Sequence, residues 1–157
     1  MTGSTPAQRD QSCFLCQATG LGVLDSFQPE NLLVASTEHS LVILNKFPYS
    51  SGHILVSPRR HLPHIEDLSA AESLDSMQML QKSTRALKKA FHPDGFNVGI
   101  NLGQIAGAGV PGHLHIHVVP RWNGDHNFMT VAGNTRVMPM LMEETWNKIR
   151  QCWDSGV

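Results

Sequence analysis

The sequence has little of several features that would point to particular classes of protein. Three cysteines in 157 residues are too few for a disulfide framework. No apolar run approaches the roughly 20 residues that a membrane-spanning helix needs. The polar first segment also lacks the basic and then apolar layout of a secretory signal. We therefore expect a cytosolic protein whose thiols stay reduced.

An excess of one charge is also missing. The 12 basic and 13 acidic residues give a formal net charge of -1. The chain therefore has no general attraction to nucleic acid or to acidic membranes, and we expect neither as a partner. Local groups would have to hold any anionic ligand. Nine histidines stand beside a single tyrosine, which directs attention to imidazole chemistry.

The apolar patterns predict five strands, at residues 31–36, 40–45, 53–58, 95–103 and 113–120. Ser69 and Glu72 have the spacing of a capping box in front of a long amphipathic helix. We expect this helix to bury residues spaced by three and four, namely Leu74, Met77, Leu80, Thr84, Leu87 and Phe91. A last helix is predicted from about residue 139 to residue 153.

This order of elements predicts the α+β class, with an antiparallel sheet of about five strands, one long central helix and a C-terminal helix. The hydrophobic content of 41% and the chain length fit one packed domain. We place that domain at residues 12–157, after a flexible arm of residues 1–11.

The segment "GHLHIHVVPR" sets three histidines, His113, His115 and His117, at intervals of two residues. Alternate residues of a strand point to the same face and rise about 3.3 Å each. The three imidazoles should therefore lie in one row, with neighbours about 6.6 Å apart. The apolar residues between them should face the other way and pack beneath the long helix.

Three interpretations of this row remain open from the residues alone. The histidines are partly buried polar residues, or they bind a metal, or one of them is a nucleophile. Two neighbours could share an ion, but the outer pair lies about 13 Å apart along a strand, too far for one metal with bonds of about 2.0–2.1 Å. Neutral imidazole is a good nucleophile near pH 7, and its attack on phosphorus divides one displacement into two.

The string "HLHIHVV" resembles the signature of the histidine triad (HIT) family. The stretches "LVILNKFPYSSGHILVSPRRH" and "FNVGINLGQIAGAG" resemble the segments that precede this signature, and the similarity covers about residues 12–128. The resemblance implies a nucleotide-binding α+β fold, usually a homodimer. It implies that His115 attacks the α-phosphorus and carries a nucleoside monophosphate, supported by His53, His113 and His117.

The same resemblance suggests substrate-binding residues. Asn45 would reach the ribose or phosphate region, and Asn101 falls where the family has a phosphate-contacting amide. Many relatives carry Gln or Ser shortly before the triad, where this chain has residues 108–111, Ala-Gly-Val-Pro. Backbone N–H groups of this glycine-rich loop, with Gly107 and Gly109, would then bind phosphate instead.

The residues after the triad, "VVPRWNGDHNFMTVAGNTRVMP", resemble the diadenosine tetraphosphate (Ap4A) phosphorylase-type branch of the family. The implied activity is cleavage of a dinucleoside polyphosphate at the α-phosphate, with phosphate or water as acceptor. Arg121 would hold the polyphosphate or be a solvated arginine. His126 is expected to be a surface residue, with a position bordering the site as the alternative. A nucleoside phosphoramidase and a nucleotide-binding sensor or scaffold are the alternatives.

Cys13 and Cys16 have the C-x-x-C spacing of a zinc site or a redox pair, and two ordinary thiols are the third interpretation. Some HIT proteins and the related galactose-1-phosphate uridylyltransferases bind structural zinc with such a pair. The resemblance implies that the other ligands are His61, with His64 as a substitute, and His113. We expect no organic cofactor.

Overall fold

The structure, a computed structural model, describes residues 10–125 and 141–156. Its five-stranded sheet is formed by Leu33–Ser36 (β1), Ser40–Leu44 (β2), Ile54–Pro58 (β3), Gly95–Ile100 (β4) and Ile116–Arg121 (β5). The spatial order is β1-β2-β3-β5-β4. Every neighbouring pair is antiparallel. The predicted α+β class and antiparallel sheet are confirmed.

Three α-helices accompany the sheet in the described part of the chain: Phe14–Thr19 (α1), Ala70–Phe91 (α2) and Met142–Asp154 (α3). The predicted capping box is present, since Glu72 N donates to Ser69 Oγ and Ser69 N donates to the Glu72 carboxylate. The Arg60 guanidinium also binds this carboxylate and holds the pKa of Glu72 at about 2. The helix α1 was not predicted, because the sequence suggested only an arm and a cysteine pair.

The two faces of the sheet are covered differently. Helices α2 and α3 cover one face, where Ile54, Leu87, Val118 and Trp146 share the main apolar cluster. Helix α1 lies on the other face, with a second cluster of Cys13, Leu15, Cys16, Ala18, Leu33, Leu41, Ile43 and Leu55. Because β3 is buried at all five positions, the central strand contributes to both clusters. The described residues include no helix that is long and apolar enough to cross a membrane.

The predicted buried face of α2 is partly wrong. Leu87 is buried, but Leu74 and Met77 are 61% and 53% exposed. Small or polar residues of α2 are buried in their place. Among them are Ser76, which lies against the sheet, and Ser83, whose hydroxyl bonds within the helix. Small residues allow a close approach of helix to sheet, and a search for large apolar side chains overlooks them.

The predicted start of the last strand is also wrong, since regular pairing begins at Ile116 instead of residue 113. The backbone N–H groups of His113 and Leu114 donate to the carbonyls of Val110 and Leu62. The segment before β5 is therefore held by its own turn and by the loop after β3. The strand predicted to end at residue 103 ends at Ile100. Three predictions concern residues outside the described part of the chain. They are the start of the last helix, most of the loop that follows Arg121, and the position of His126.

Candidate active site

Turns and strand ends bring three histidines together: the rings of His53 and His115 both contact that of His117. His53 directly precedes β3, and His117 lies on β5 opposite Leu55 of that strand. Gly52 precedes His53 with a positive φ of 81°. A Cβ at this glycine would lie 3.1 Å from side-chain atoms of Leu87 and Phe91. Glycine therefore permits both the tight turn and its close packing on α2.

The middle histidine has a defined tautomer. His115 is 4% exposed, and its Nδ1 lies 2.8 Å from the backbone oxygen of His113. A carbonyl oxygen only accepts, so Nδ1 must carry the hydrogen. In the neutral ring, the unprotonated nitrogen is then Nε2. The fold therefore leaves His115 with a nucleophilic lone pair on Nε2.

A second chain of hydrogen bonds sets the tautomers of His53 and His117. The backbone N–H of Tyr49 donates to Nδ1 of His53 at 3.1 Å. Neutral His53 must therefore carry its hydrogen on Nε2, from which it donates to Nδ1 of His117 at 3.0 Å. By the same reasoning, the remaining hydrogen of neutral His117 is on Nε2.

Burial keeps these two rings neutral. Together with the neighbouring His117 and His115, it lowers the pKa of His53 to about 3. Burial, followed by the neighbouring His115, also lowers the pKa of His117 below its ordinary value of 6.5. Both histidines are therefore uncharged hydrogen-bond donors and acceptors near pH 7.

Nε2 of His117 is buried and has no hydrogen-bond partner, the only side-chain nitrogen or oxygen of that kind in residues 10–125 and 141–156. A buried polar atom without a partner costs about 1–3 kcal/mol, so such an atom suggests a place for a ligand. The ring centroids of His115 and His117 are 5.0 Å apart. A lone pair and an N–H donor therefore stand on adjacent rings, an arrangement suited to attack on a phosphoryl group.

The expected substrate-binding residues fall into two groups. Asn45 contacts the His53 ring, with Nδ2 3.3 Å from either ring nitrogen. Asn101 follows the Ile100–Ile116 pair, at the end of β4 nearest His115, and its amide donates to the Gly107 carbonyl. The N–H of Gly107 is used within its own loop by Gln104, while Gly109 borders open space.

Arg121 lies away from the histidines. It pairs with Gly95 at the opposite end of β5, about 13 Å along the strand from His117. Its guanidinium donates twice to the Asp125 carboxylate and once to Asn97 Oδ1. The structure thus engages this side chain locally and does not bring it to His115.

The cysteine pair meets two histidines on the sheet face covered by α1. One ligand atom each from Cys13, Cys16, His61 and His113 lie within 4.8 Å of one another, and three of the residues are buried. Nδ1 of His113 is 3.4 Å from both sulfurs, and Nδ1 of His61 is 3.1 Å from the Cys16 sulfur. His64 is exposed and does not join the cluster.

Two further contacts prepare this cluster. Nε2 of His113 lies 2.8 Å from the Pro58 carbonyl, so it carries the hydrogen and leaves a lone pair on Nδ1 toward the sulfurs. A Cβ on Gly112 would lie 3.1 Å from the His61 ring, so glycine allows that ring to approach. The four donors therefore match the Cys₂His₂ ligand set of a zinc site. Their ligand atoms also lie close enough together to surround one tetrahedral ion.

Two participants are not predicted from the sequence. Tyr49 belongs to no motif, although it is the only tyrosine in the chain and lies four residues before His53. The Pro58 carbonyl leaves no mark in a residue pattern, because any residue supplies a backbone oxygen. Only the contact between distant segments identifies such a group.

Comparison with known proteins gives the family. Residues 26–124, which include the whole histidine row, match the HIT domain family. The chain belongs to this family. A curated relative of this HIT protein is "AP-4-A phosphorylase" of Mycobacterium tuberculosis, 44% identical over 124 residues, which are 79% of this chain and 64% of the relative. The chain thus spans just under two thirds of that relative's length.

Other relatives of this HIT protein carry related names. "Bis(5'-nucleosyl)-tetraphosphatase [asymmetrical]" of Schizosaccharomyces pombe is 36% identical over 89 residues, 57% of this chain and 48% of the relative. Among solved structures, a "ZN-bound histidine triad family protein" from Mycobacterium smegmatis is 30% identical with a TM-score of 0.70. The match covers 91% of this chain and 94% of that one.

The tautomers can be tested directly by nitrogen-15 NMR of the imidazole rings in substrate-free protein, with signals assigned by single substitutions. We expect His53 and His117 to carry hydrogen on Nε2, and neutral His115 to carry it on Nδ1. Since burial lowers the pKa of His53 to about 3, its neutral form should persist as the pH falls from 7 to 5. A His53 ring that protonates above pH 6, or that carries its hydrogen on Nδ1, would contradict the assignment.

Proposed function

We propose that this HIT protein cleaves dinucleoside polyphosphates of the Ap4A type at the α-phosphate, through a nucleotide bound covalently to His115. The observation that carries the proposal is the pair of adjacent Nε2 atoms on His115 and His117, one with a lone pair and one with a hydrogen and no partner among the described residues. The names of the relatives from Mycobacterium tuberculosis and Schizosaccharomyces pombe support this substrate class.

In the first step, Nε2 of His115 forms a bond to the α-phosphorus while the bond from that phosphorus to the bridging oxygen breaks. ATP leaves from a tetraphosphate, or ADP from a triphosphate. The substituted ring now bears phosphorus on Nε2 and hydrogen on Nδ1, so it is positively charged. The His113 carbonyl, 2.8 Å from Nδ1, stabilises that charge.

His117 donates its Nε2 hydrogen to a phosphoryl or leaving-group oxygen as negative charge develops there. His53 keeps His117 in the required tautomer. In the second step, phosphate or water attacks the phosphorus and the bond to His115 breaks, which releases ADP or AMP and restores the ring. The chain is 44% identical to the relative named a phosphorylase and 36% identical to the one named a tetraphosphatase. This difference favours phosphate as the acceptor.

Asn45 and Asn101, together with the loop containing Gly107 and Gly109, are our proposed contacts to ribose and phosphate. Support comes from their positions beside His53 and at the end of β4 nearest His115. Gly109 is the better candidate of the two glycines for a backbone contact, since the Gly107 N–H already bonds within the loop. For Arg121, a role in binding polyphosphate would require release from Asp125 and Asn97.

The nucleophile is tested by His115→Asn. We expect turnover of Ap4A to fall by more than about a thousandfold, while folding and nucleotide binding persist, because the bond-forming atom is lost. Chromatography of ADP, ATP and AMP, with and without phosphate, measures turnover and identifies the acceptor. His64→Asn is the matched control, since His64 is exposed and outside both clusters.

Wild-type turnover in His115→Asn would end the proposal for this residue. Nucleotide binding without any product from the wild-type protein would instead favour the sensor or scaffold function. A nucleoside phosphoramidate cleaved faster than Ap4A would favour a phosphoramidase.

We further propose a structural zinc ion held by Cys13, Cys16, His61 and His113. When bound, zinc would crosslink three segments of the chain: α1, the loop after β3 and the segment before β5. The fit rests on the donor set, its burial and the His113 tautomer. A zinc-bound solved relative gives further support. Zinc binding requires reduced thiols, which agrees with the expected cytosolic location.

Metal analysis tests the zinc proposal without any activity measurement. Purified protein should contain about one zinc per chain, and Cys16→Ser should lose it because one of four ligands is removed. Cys152→Ser is the matched control, since Cys152 lies on α3 away from the cluster. Metal-free protein from a zinc-replete preparation, or equal zinc in both variants, would refute the site.

A homodimer is the assembly we propose. Strand β4 lies at the edge of the sheet and exposes Asn97, Val98 and Gly99. An open edge strand is suited to pairing with another chain. The exposed Leu74 and Met77 of α2 offer apolar surface that a partner would cover.

A further inference from the structure

Tyr49 lies on the turn between β2 and β3 and is 72% exposed, yet two histidines of the candidate active site lie against its ring. Its ring centroid is 4.6 Å from that of His53 and 6.0 Å from that of His117. The Tyr49 and His117 planes are nearly parallel, at 13°. Exposed tyrosine rings are ordinarily free to move, so contact with two catalytic candidates needs an explanation.

The anchoring of His117 is otherwise incomplete. Its Nδ1 accepts from His53, but its Nε2 has no partner among the described residues. A single hydrogen bond restrains an imidazole poorly, because the terminal torsion of histidine is broad. Ring contacts provide the second restraint, with Tyr49 at 6.0 Å and His115 at 5.0 Å from the His117 centroid.

Tyr49 is itself anchored from its backbone. The same residue donates its N–H to His53 Nδ1, and His53 donates onward to His117. One turn residue therefore contacts the histidine pair twice, by a hydrogen bond at one end and by its ring over His117. Movement of the ring would remove one restraint on His117 and would leave the Tyr49 backbone contact and the His53 hydrogen bond in place.

We infer that Tyr49 is a positioning residue whose ring holds His117 in the orientation that presents Nε2–H to the reacting phosphate. The inference rests on the proposed function for its catalytic consequence, but the ring geometry is independent of turnover. The hydroxyl has no part in it, since the contacts to both histidines are made by the aromatic ring.

The test compares Tyr49→Ala with Tyr49→Phe, which keeps the ring. In Tyr49→Ala, kcat for Ap4A should fall about three- to tenfold, the factor that one aromatic contact of ordinary strength supports. KM should stay within about twofold, because the lost effect belongs to the chemical step. Tyr49→Phe should behave as wild type. Phe47→Ala, which removes the exposed neighbouring aromatic, is the matched loop control.

A truncated substrate separates positioning from direct binding. Adenosine 5'-tetraphosphate lacks the second nucleobase, so a tyrosine acting through His117 should give the same proportional loss of kcat with it as with Ap4A. A loss confined to Ap4A would mean that Tyr49 stacks on the second base, and would overturn the inference. An equal loss in Phe47→Ala or in Tyr49→Phe would overturn it too.

Nitrogen-15 NMR of substrate-free protein gives the readout that does not depend on turnover. The His117 ring signals should broaden or shift in Tyr49→Ala, remain as wild type in Tyr49→Phe, and leave the backbone fold unchanged. Unchanged His117 signals in Tyr49→Ala would refute the positioning role even if Ap4A is a substrate. Conversely, a wild-type protein without turnover would refute the proposed function while this NMR comparison still decides the role of Tyr49.

Discussion

The hydrogen bond from Nδ1 of His115 to the backbone oxygen of His113 is the interaction on which the candidate active site depends. It fixes which nitrogen of the middle histidine is free, and it places a stabilising dipole behind the ring if that nitrogen becomes substituted. The bond spans only two residues, so it needs no partner from elsewhere in the chain. It does need the main chain around His113 to be held firmly, because the acceptor is a peptide oxygen.

Several contacts hold that main chain. The N–H of His113 bonds to Val110, the N–H of Leu114 bonds to Leu62, and the His113 ring bonds to the Pro58 carbonyl. The other side of the same ring faces Cys13 and Cys16. His113, which the sequence suggests as a third histidine of the catalytic group, therefore connects the candidate active site to the cysteine cluster. Its ring belongs to the proposed zinc site, and its carbonyl oxygen accepts from Nδ1 of His115, the proposed nucleophile.

The sequence allowed more of this site to be predicted than of the packing around it. Alternation along a strand explains why His117 shares a face with Leu55 while Val118 joins the core beneath α2. The face of α2 that packs on the sheet was less predictable. The buried residues Ser76 and Ser83 lie on this face, and a search for apolar spacing does not detect small polar side chains. The proposed role of Tyr49 depends on a backbone N–H and a ring contact across a turn, and neither has a residue signature.

The claim that a histidine nitrogen becomes bonded to phosphorus is tested most directly by the stereochemical course of the reaction. Ap4A with sulfur of one configuration at each α-phosphorus would be cleaved with phosphate as acceptor, or in isotope-labelled water if water is the acceptor. Each in-line displacement inverts the phosphorus centre. Two successive displacements through His115 predict net retention in the product nucleotide. Net inversion would indicate a single displacement and contradict the covalent intermediate.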